Sequence, residues 1–311
     1  MRRGSSMQPR KILVSLEYAR DNSAILQRLT RFAQGLGTDD PAAELAVLLV
    51  VVDYSDGLER SYPFDKDALA RARSGFLKAR QKWLENQAQG LRAQGIPVEV
   101  KACWGKPKYV ALLEVASEWE ADLIMKTTYQ HSALRRALLT PGDWHLIRKT
   151  HAPLWLVRDV PWGTHVSVAA CVDPSPESPS ARDERLLAAA HDLAVLLPAE
   201  LHVIHAFEPA PTGLLPEFDA LMDNSETIRH EVEAQQREAI DHLLAGRVEP
   251  GTRLHLEEGE AVDLLPDITA RESIDLVVLG AVARSPLERV LIGSTAEQIL
   301  DEITSDLLVI R

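Results

Sequence analysis

The chain has 311 residues, 46% of them hydrophobic, which is enough to bury cores in about two domains. Its 46 acidic against 34 basic side chains leave a formal charge of -12, which repels polyanions at long range and argues against nucleic acid as a main partner. Two cysteines far apart in sequence, Cys103 and Cys171, exclude both a disulfide framework and a CxxC metal knuckle, and fit a reducing compartment.

The opening MRRGSSMQPR is basic, but a short strand-like run follows it instead of the apolar core of a signal peptide. No apolar run reaches about 18 residues. Residues 1–10 are therefore expected to be a flexible tail on a cytoplasmic chain without a membrane span.

From Lys11, KILVSLEY reads as a strand, residues 22–36 as a helix and AELAVLLVVVDY as a second strand. A long helix over about 66–94 ends at Gly95, VEVKACWG gives a third strand and KYVALLEVASEWE a helix. ADLIMK, GDWHLIRKT and PLWLVR then read as strand, helix, strand. Pro161 and Gly163 interrupt the pattern in DVPWGTH, and the series restarts with SVAACVD, a helix over about 181–196 and ELHVIHAF. A Pro-rich loop, a helix to about 244, TRLHLEE, a helix near 262–270, DLVVLG, STAEQILDEI and DLLVIR complete a second copy of the same order.

Strands linked by helices pair in parallel with right-handed crossovers, and continuous apolar runs such as LAVLLVVV suit a sheet covered on both faces. The fold class expected is α/β: two tandem doubly wound, Rossmann-like domains, each with a mainly parallel five-stranded sheet. They are placed at 11–158 and 166–311, with a linker over 159–165. Ligands of such sheets sit at the carboxyl ends of strands near the topological switch point, which directs attention to Glu17, Lys126, Asp173 and Gly280.

In the second copy Gly280 ends a strand, Ala283 follows three residues on, and Gly293-Ser294-Thr295 begins the last helix. The spacing is that of G-x-x-G-x(9)-G-[ST] with its second glycine replaced. Glycines let backbone N–H groups approach phosphate oxygens, and the helix start adds free donors and a favourable dipole end. Ser294 and Thr295 could add hydroxyl donors and Arg284 a charge. Ser294-x-x-Glu297 is equally a capping box that starts a helix with no ligand. If position 283 needs a left-handed backbone, alanine there costs about 1–2 kcal/mol. Asp173 could accept hydrogen bonds from an adenine amino group or a ribose, or simply turn the chain before Pro174.

In the first copy Lys126 stands where the phosphate loop would start, and Thr140-Pro141-Gly142-Asp143 forms an ordinary helix start. His202 and His205, three apart in one strand, face opposite sides and cannot share an ion, although His255 lies in another strand. His131, His145 and His151 are expected to be solvated or capping. No metal site is expected, and no GxSxG elbow, Walker A lysine, HExxH or cysteine nucleophile is present, so no catalytic residue is named.

VVLGAVARSPLERVLIGSTAEQIL…DLLVIR resembles the ending of the universal stress protein family, and DLIMKTTYQHSALRRALLTPGDWHLIRKTHAPLWLVRDVPW its tandem-domain type. The resemblance covers Lys11 to Arg311. It implies a cytoplasmic protein made under starvation, growth arrest or DNA-damaging stress, protective rather than catalytic; members with the full glycine motif bind ATP and others do not, so ATP with Mg²⁺ is a candidate cofactor of the second copy and no other cofactor is expected. The nucleotide residues carried over are Asp173, Gly280, Gly293, Ser294 and Thr295, with Ala283 departing from the pattern and Arg284 beside it. Family domains pair through their last strands, so PLWLVR and DLLVIR are expected to pair within one chain as a pseudo-dimer, and two chains could associate further. Two alternatives stay open: an ATP-independent scaffold or carrier of a small apolar ligand, and a slow nucleotide hydrolase.

Overall fold

In the computed structural model, which describes residues 9–36, 45–62, 65–128, 139–174, 181–207, 225–248, 250–280, 299–300 and 302–310, the chain divides into two compact units. One is Gln8–Trp162; the other contains Gly163–Arg311.

The first unit runs β1 (Lys11–Ser15), α1 (Ser23–Gly35), β2 (Ala46–Asp53), α2 (Asp56–Ser61), α3 (Lys66–Arg92), β3 (Val98–Trp104), α4 (Lys108–Glu118), β4 (Leu123–Thr128), α5 (Pro141–Lys149) and β5 (Leu154–Arg158). Its strands lie in the order β3-β2-β1-β4-β5, all parallel. The second runs β6 (Ser167–Cys171), α6 (Ala181–Leu196), β7 (Glu200–Phe207), α7 (Ser225–Leu244), β8 (Arg253–Glu258), α8 (Ala261–Arg271), β9 (Leu276–Gly280) and β10 (Asp306–Ile310). Its order is β8-β7-β6-β9-β10, again all parallel, so the two sheets have one topology.

The apolar run of β2 is buried from Val47 through Val52, as a strand with helices on both faces must be. Helix α1 turns Ala24, Ile25, Arg28, Leu29 and Phe32 onto the sheet, a stripe of helical period, and Phe32 meets Trp155 edge-on at 6.0 Å. Because successive strands leave β1 in opposite directions, the switch point lies between β1 and β4, and in the second unit between β6 and β9.

Each switch point is pinned by an aspartate just before its strand. Asp122 accepts the N–H groups of Arg10 and Lys11 at 3.0 and 2.9 Å, and Asp275 accepts that of Ser167 at 3.0 Å. Counting forward from these two anchors makes Thr127 the equivalent of Gly280 and Lys126 the equivalent of Leu279. The sequence reading, which put Lys126 in place of the first glycine, is therefore one residue out of register. An apolar run carries no punctuation that would fix the count, whereas the ladder does.

The anchor also makes Arg10 part of the first unit; residues 1–8 of the expected tail lie outside the described residues. The linker expected from 159 likewise begins within that unit. Trp162 is buried, its ring 4.3 Å from the Arg28 guanidinium, and its backbone exchanges hydrogen bonds with Gln27 at 3.0 and 3.3 Å.

Candidate functional site at the carboxyl ends of the strands

In the first unit the crevice at the switch point is a cavity of about 300 Å³, lined among others by Glu17, Arg20, Lys108, Tyr109, Lys126 and Gly142. Helix α5 starts at its wall. Thr140 accepts the Asp143 N–H at 3.2 Å, and Asp143 accepts the Thr140 N–H at 2.8 Å and its hydroxyl at 2.7 Å, a closed capping box. The Asp143 side chain is fully buried, and its other oxygen lies 2.9 Å from Lys126 Nζ, which also donates to the Thr127 carbonyl at 3.0 Å. The chain thus supplies its own anion at a helix start, where unpaired N–H groups favour negative charge, and neutralises it with its own cation. Glu17, at the end of β1, lies 3.5 Å from Lys108.

In the second unit Asp173 and Gly280 stand at the carboxyl ends of the adjacent strands β6 and β9. Asp173 is exposed, and its N–H donates to the buried Asp183 carboxylate at 3.1 Å. The same device holds Glu17, whose N–H donates to Asn22 at 3.1 Å.

Gly280 has a packing reason of its own. A Cβ there would come within 3.3 Å of both Arg182 Cδ and Leu186 Cδ1, a tight fit that α6 could relieve only by shifting these side chains a few tenths of an ångström. The remaining motif positions, Ala283, Arg284, Gly293, Ser294 and Thr295, lie outside the described residues. Of the expected nucleotide residues, the structure therefore brings together Asp173 and Gly280.

The histidines divide as strand alternation requires. His205 faces Val172 O at 3.1 Å and Gln236 Oε1 at 3.0 Å, while on the opposite face His202 Nδ1 meets His255 Nε2 at 2.9 Å. Burial lowers the pKa of both members of this pair. Glu272, at the C-terminus of α8, joins them, a neighbour that strand spacing does not reveal because it comes from a helix end. His145 stacks on Tyr109, with ring centroids 4.4 Å apart, and His131 lies outside the described residues. Burial pushes the Cys171 thiol up to about 12 and raises Cys103 as well, which is the opposite of an activated nucleophile.

The strand order and crossovers define a tandem of doubly wound α/β domains. The sequence pattern of the universal stress protein family matches residues 10–158 and again 167–311, and the chain belongs to that family. It is 28% identical over 310 residues to universal stress protein E of Salmonella typhi, covering 96% of this chain and 93% of that one. The corresponding protein of Escherichia coli K12 is 28% identical over 306 residues with the same coverage.

Among solved structures, a functionally unknown protein from Pseudomonas aeruginosa PAO1 has a TM-score of 0.70 at 26% identity, over 97% of this chain and 92% of that one. A universal stress protein from Archaeoglobus fulgidus, at 17% identity, shares the fold with a TM-score of 0.66 over 98% and 99% of the two chains. Among the described residues no helix is long and apolar enough to cross a membrane.

Proposed function

We propose that this protein is a cytoplasmic, non-catalytic stress-resistance module whose second domain binds ATP or a related nucleotide with Mg²⁺, while its first domain does not. The observation that carries the reading is the contrast at the two switch points. Asp143 and Lys126 close the helix start of the first domain with an internal ion pair. The second has Asp173 and Gly280 on adjacent strand ends and Gly293-Ser294-Thr295 later in its sequence. Phosphate would take the glycine-rich helix start, and Asp173 the ribose or adenine edge. Isothermal titration of the full chain with ATP and Mg²⁺ tests this: one site per chain is expected, and no heat at high micromolar protein removes the reading.

The pairing of the terminal strands belongs to the same proposal. β5 and β10 each close one side of their own sheet, and an exposed edge there would invite aggregation. Pairing within the chain predicts that the amides of both strands exchange as slowly as those of β1 and β6; fast exchange along one side of β5 or β10 contradicts it.

A further inference from the structure

We propose that His202, His255 and Glu272 form a binding site for one divalent transition ion of the zinc type. The site lies towards the amino ends of β7 and β8, away from the crevice at the carboxyl ends. It does not rest on the nucleotide reading.

The register makes the pair. His202 is opposite Arg253 across the β7/β8 ladder, so His255, two residues on, shares its face of the sheet. The two rings are parallel within 2°, their facing nitrogens 2.9 Å apart. Glu272 reaches them from the end of α8, so that one donor atom from each of the three residues lies within 4.8 Å of the others. Metal–ligand bonds of about 2.0–2.2 Å set neighbouring donors roughly 3 Å apart, a closure that the half-buried His255 and Glu272 can make by side-chain rotation. Two imidazoles and one carboxylate suit zinc better than the all-oxygen shells of magnesium or calcium, and three protein ligands leave a fourth position for water.

The side of His202 turned away from the cluster suits a ligand role. His202 is fully buried, yet its outer nitrogen, Nε2, has no hydrogen-bond partner among the described residues, and Glu200 Oε2 stands 3.7 Å from it. A carboxylate behind a ligating histidine is the usual means of fixing its tautomer and orientation. Coordination then needs no net loss of protons: His202 carries its N–H on Nε2 towards Glu200 and presents the Nδ1 lone pair. His255 carries its N–H on Nδ1 and presents Nε2. The N–H···N bond between the rings is replaced by two bonds to the ion.

Two cations compete for Glu272. Arg271 Nε lies 3.2 Å from it and Arg253 Nη1 3.7 Å, the latter also holding Glu200 at 2.7 Å. Both arginine side chains are more than half exposed, at 51% and 55%, and each has a second carboxylate, Glu257 at 2.5 Å for Arg271 and Glu200 for Arg253, to keep when an ion takes Glu272.

Equilibrium dialysis of the full chain against chelator-buffered Zn²⁺, with bound metal measured by atomic emission, tests the site. Wild type is expected to hold an equivalent whose affinity falls at least tenfold in His255→Gln and in Glu272→Gln, since even outer-shell changes weaken metal sites about 10–100-fold. Circular dichroism checks that each variant is folded; should His255→Gln unfold, Glu272→Gln at the helix end decides. Zinc bound equally by wild type and folded variants, or not bound at all, overturns the proposal.

Discussion

The two halves of this chain share a strand order and a switch point but treat the charge at that point differently. In the first, the buried Asp143 carboxylate takes the place an external anion would have at a helix start, and Lys126 compensates it. In the second, an exposed aspartate and a glycine flank the same end of the sheet. Duplication thus preserves topology while the first copy fills its own helix start with an internal ion pair. A fold-level match identifies the crevice, and only its side chains say what can enter it.

The largest effect expected from breaking this contrast is in the first half. Lys126→Met leaves Asp143 buried without its cation, and removing one partner of a buried pair destabilises by about 3–5 kcal/mol. Urea unfolding would show this as an early transition of the first domain, and a loss under 1 kcal/mol would mean that the capping box alone supports the carboxylate.

Gly280→Val is smaller and separates packing from binding. Crowding Arg182 and Leu186 should lower the stability of ligand-free protein by about 1–3 kcal/mol. Unchanged stability would mean that α6 gives way freely and the glycine is not held by packing. The smallest change sharpens the contrast instead of breaking it: Ala283→Gly should tighten ATP binding by up to about 1–2 kcal/mol if that position is left-handed, and leave it unaltered otherwise.

Most of the fold was legible because its signals are long and periodic: the expected helix over 181–196 is α6, and the run starting at Lys66 is α3. What escaped has a physical pattern. The short α2 offers a single turn and a half of helical periodicity, too little to distinguish from a loop. The shift from Lys126 to Thr127 as the counterpart of Gly280 needed the ladder, since alternation within a doubly covered strand is hidden by burial on both faces. The Pro and Gly neighbours of Trp162 suggest a linker, but Arg28 and Gln27, more than 130 positions earlier in the chain, hold it in the first domain.

The site was legible only in part. Glu17 and Lys126 in the first domain, and separately Asp173 and Gly280 in the second, lie towards the carboxyl ends of their strands, as strand polarity requires. Sequence could not show that Gly280 answers to α6, because its contacts, Arg182 and Leu186, lie about 95 residues away. Nor could it show Asp143 facing Lys126, since a capping aspartate reads the same whether or not a cation waits behind it.

The central claim, that the second domain and not the first takes the nucleotide, is tested most directly by titrating ATP and Mg²⁺ into wild type, Gly293→Asp and Lys126→Met side by side. One site per chain that is lost in Gly293→Asp and kept in Lys126→Met is the predicted result. Binding that survives Gly293→Asp, or that disappears with Lys126 while the second domain stays folded, would contradict it.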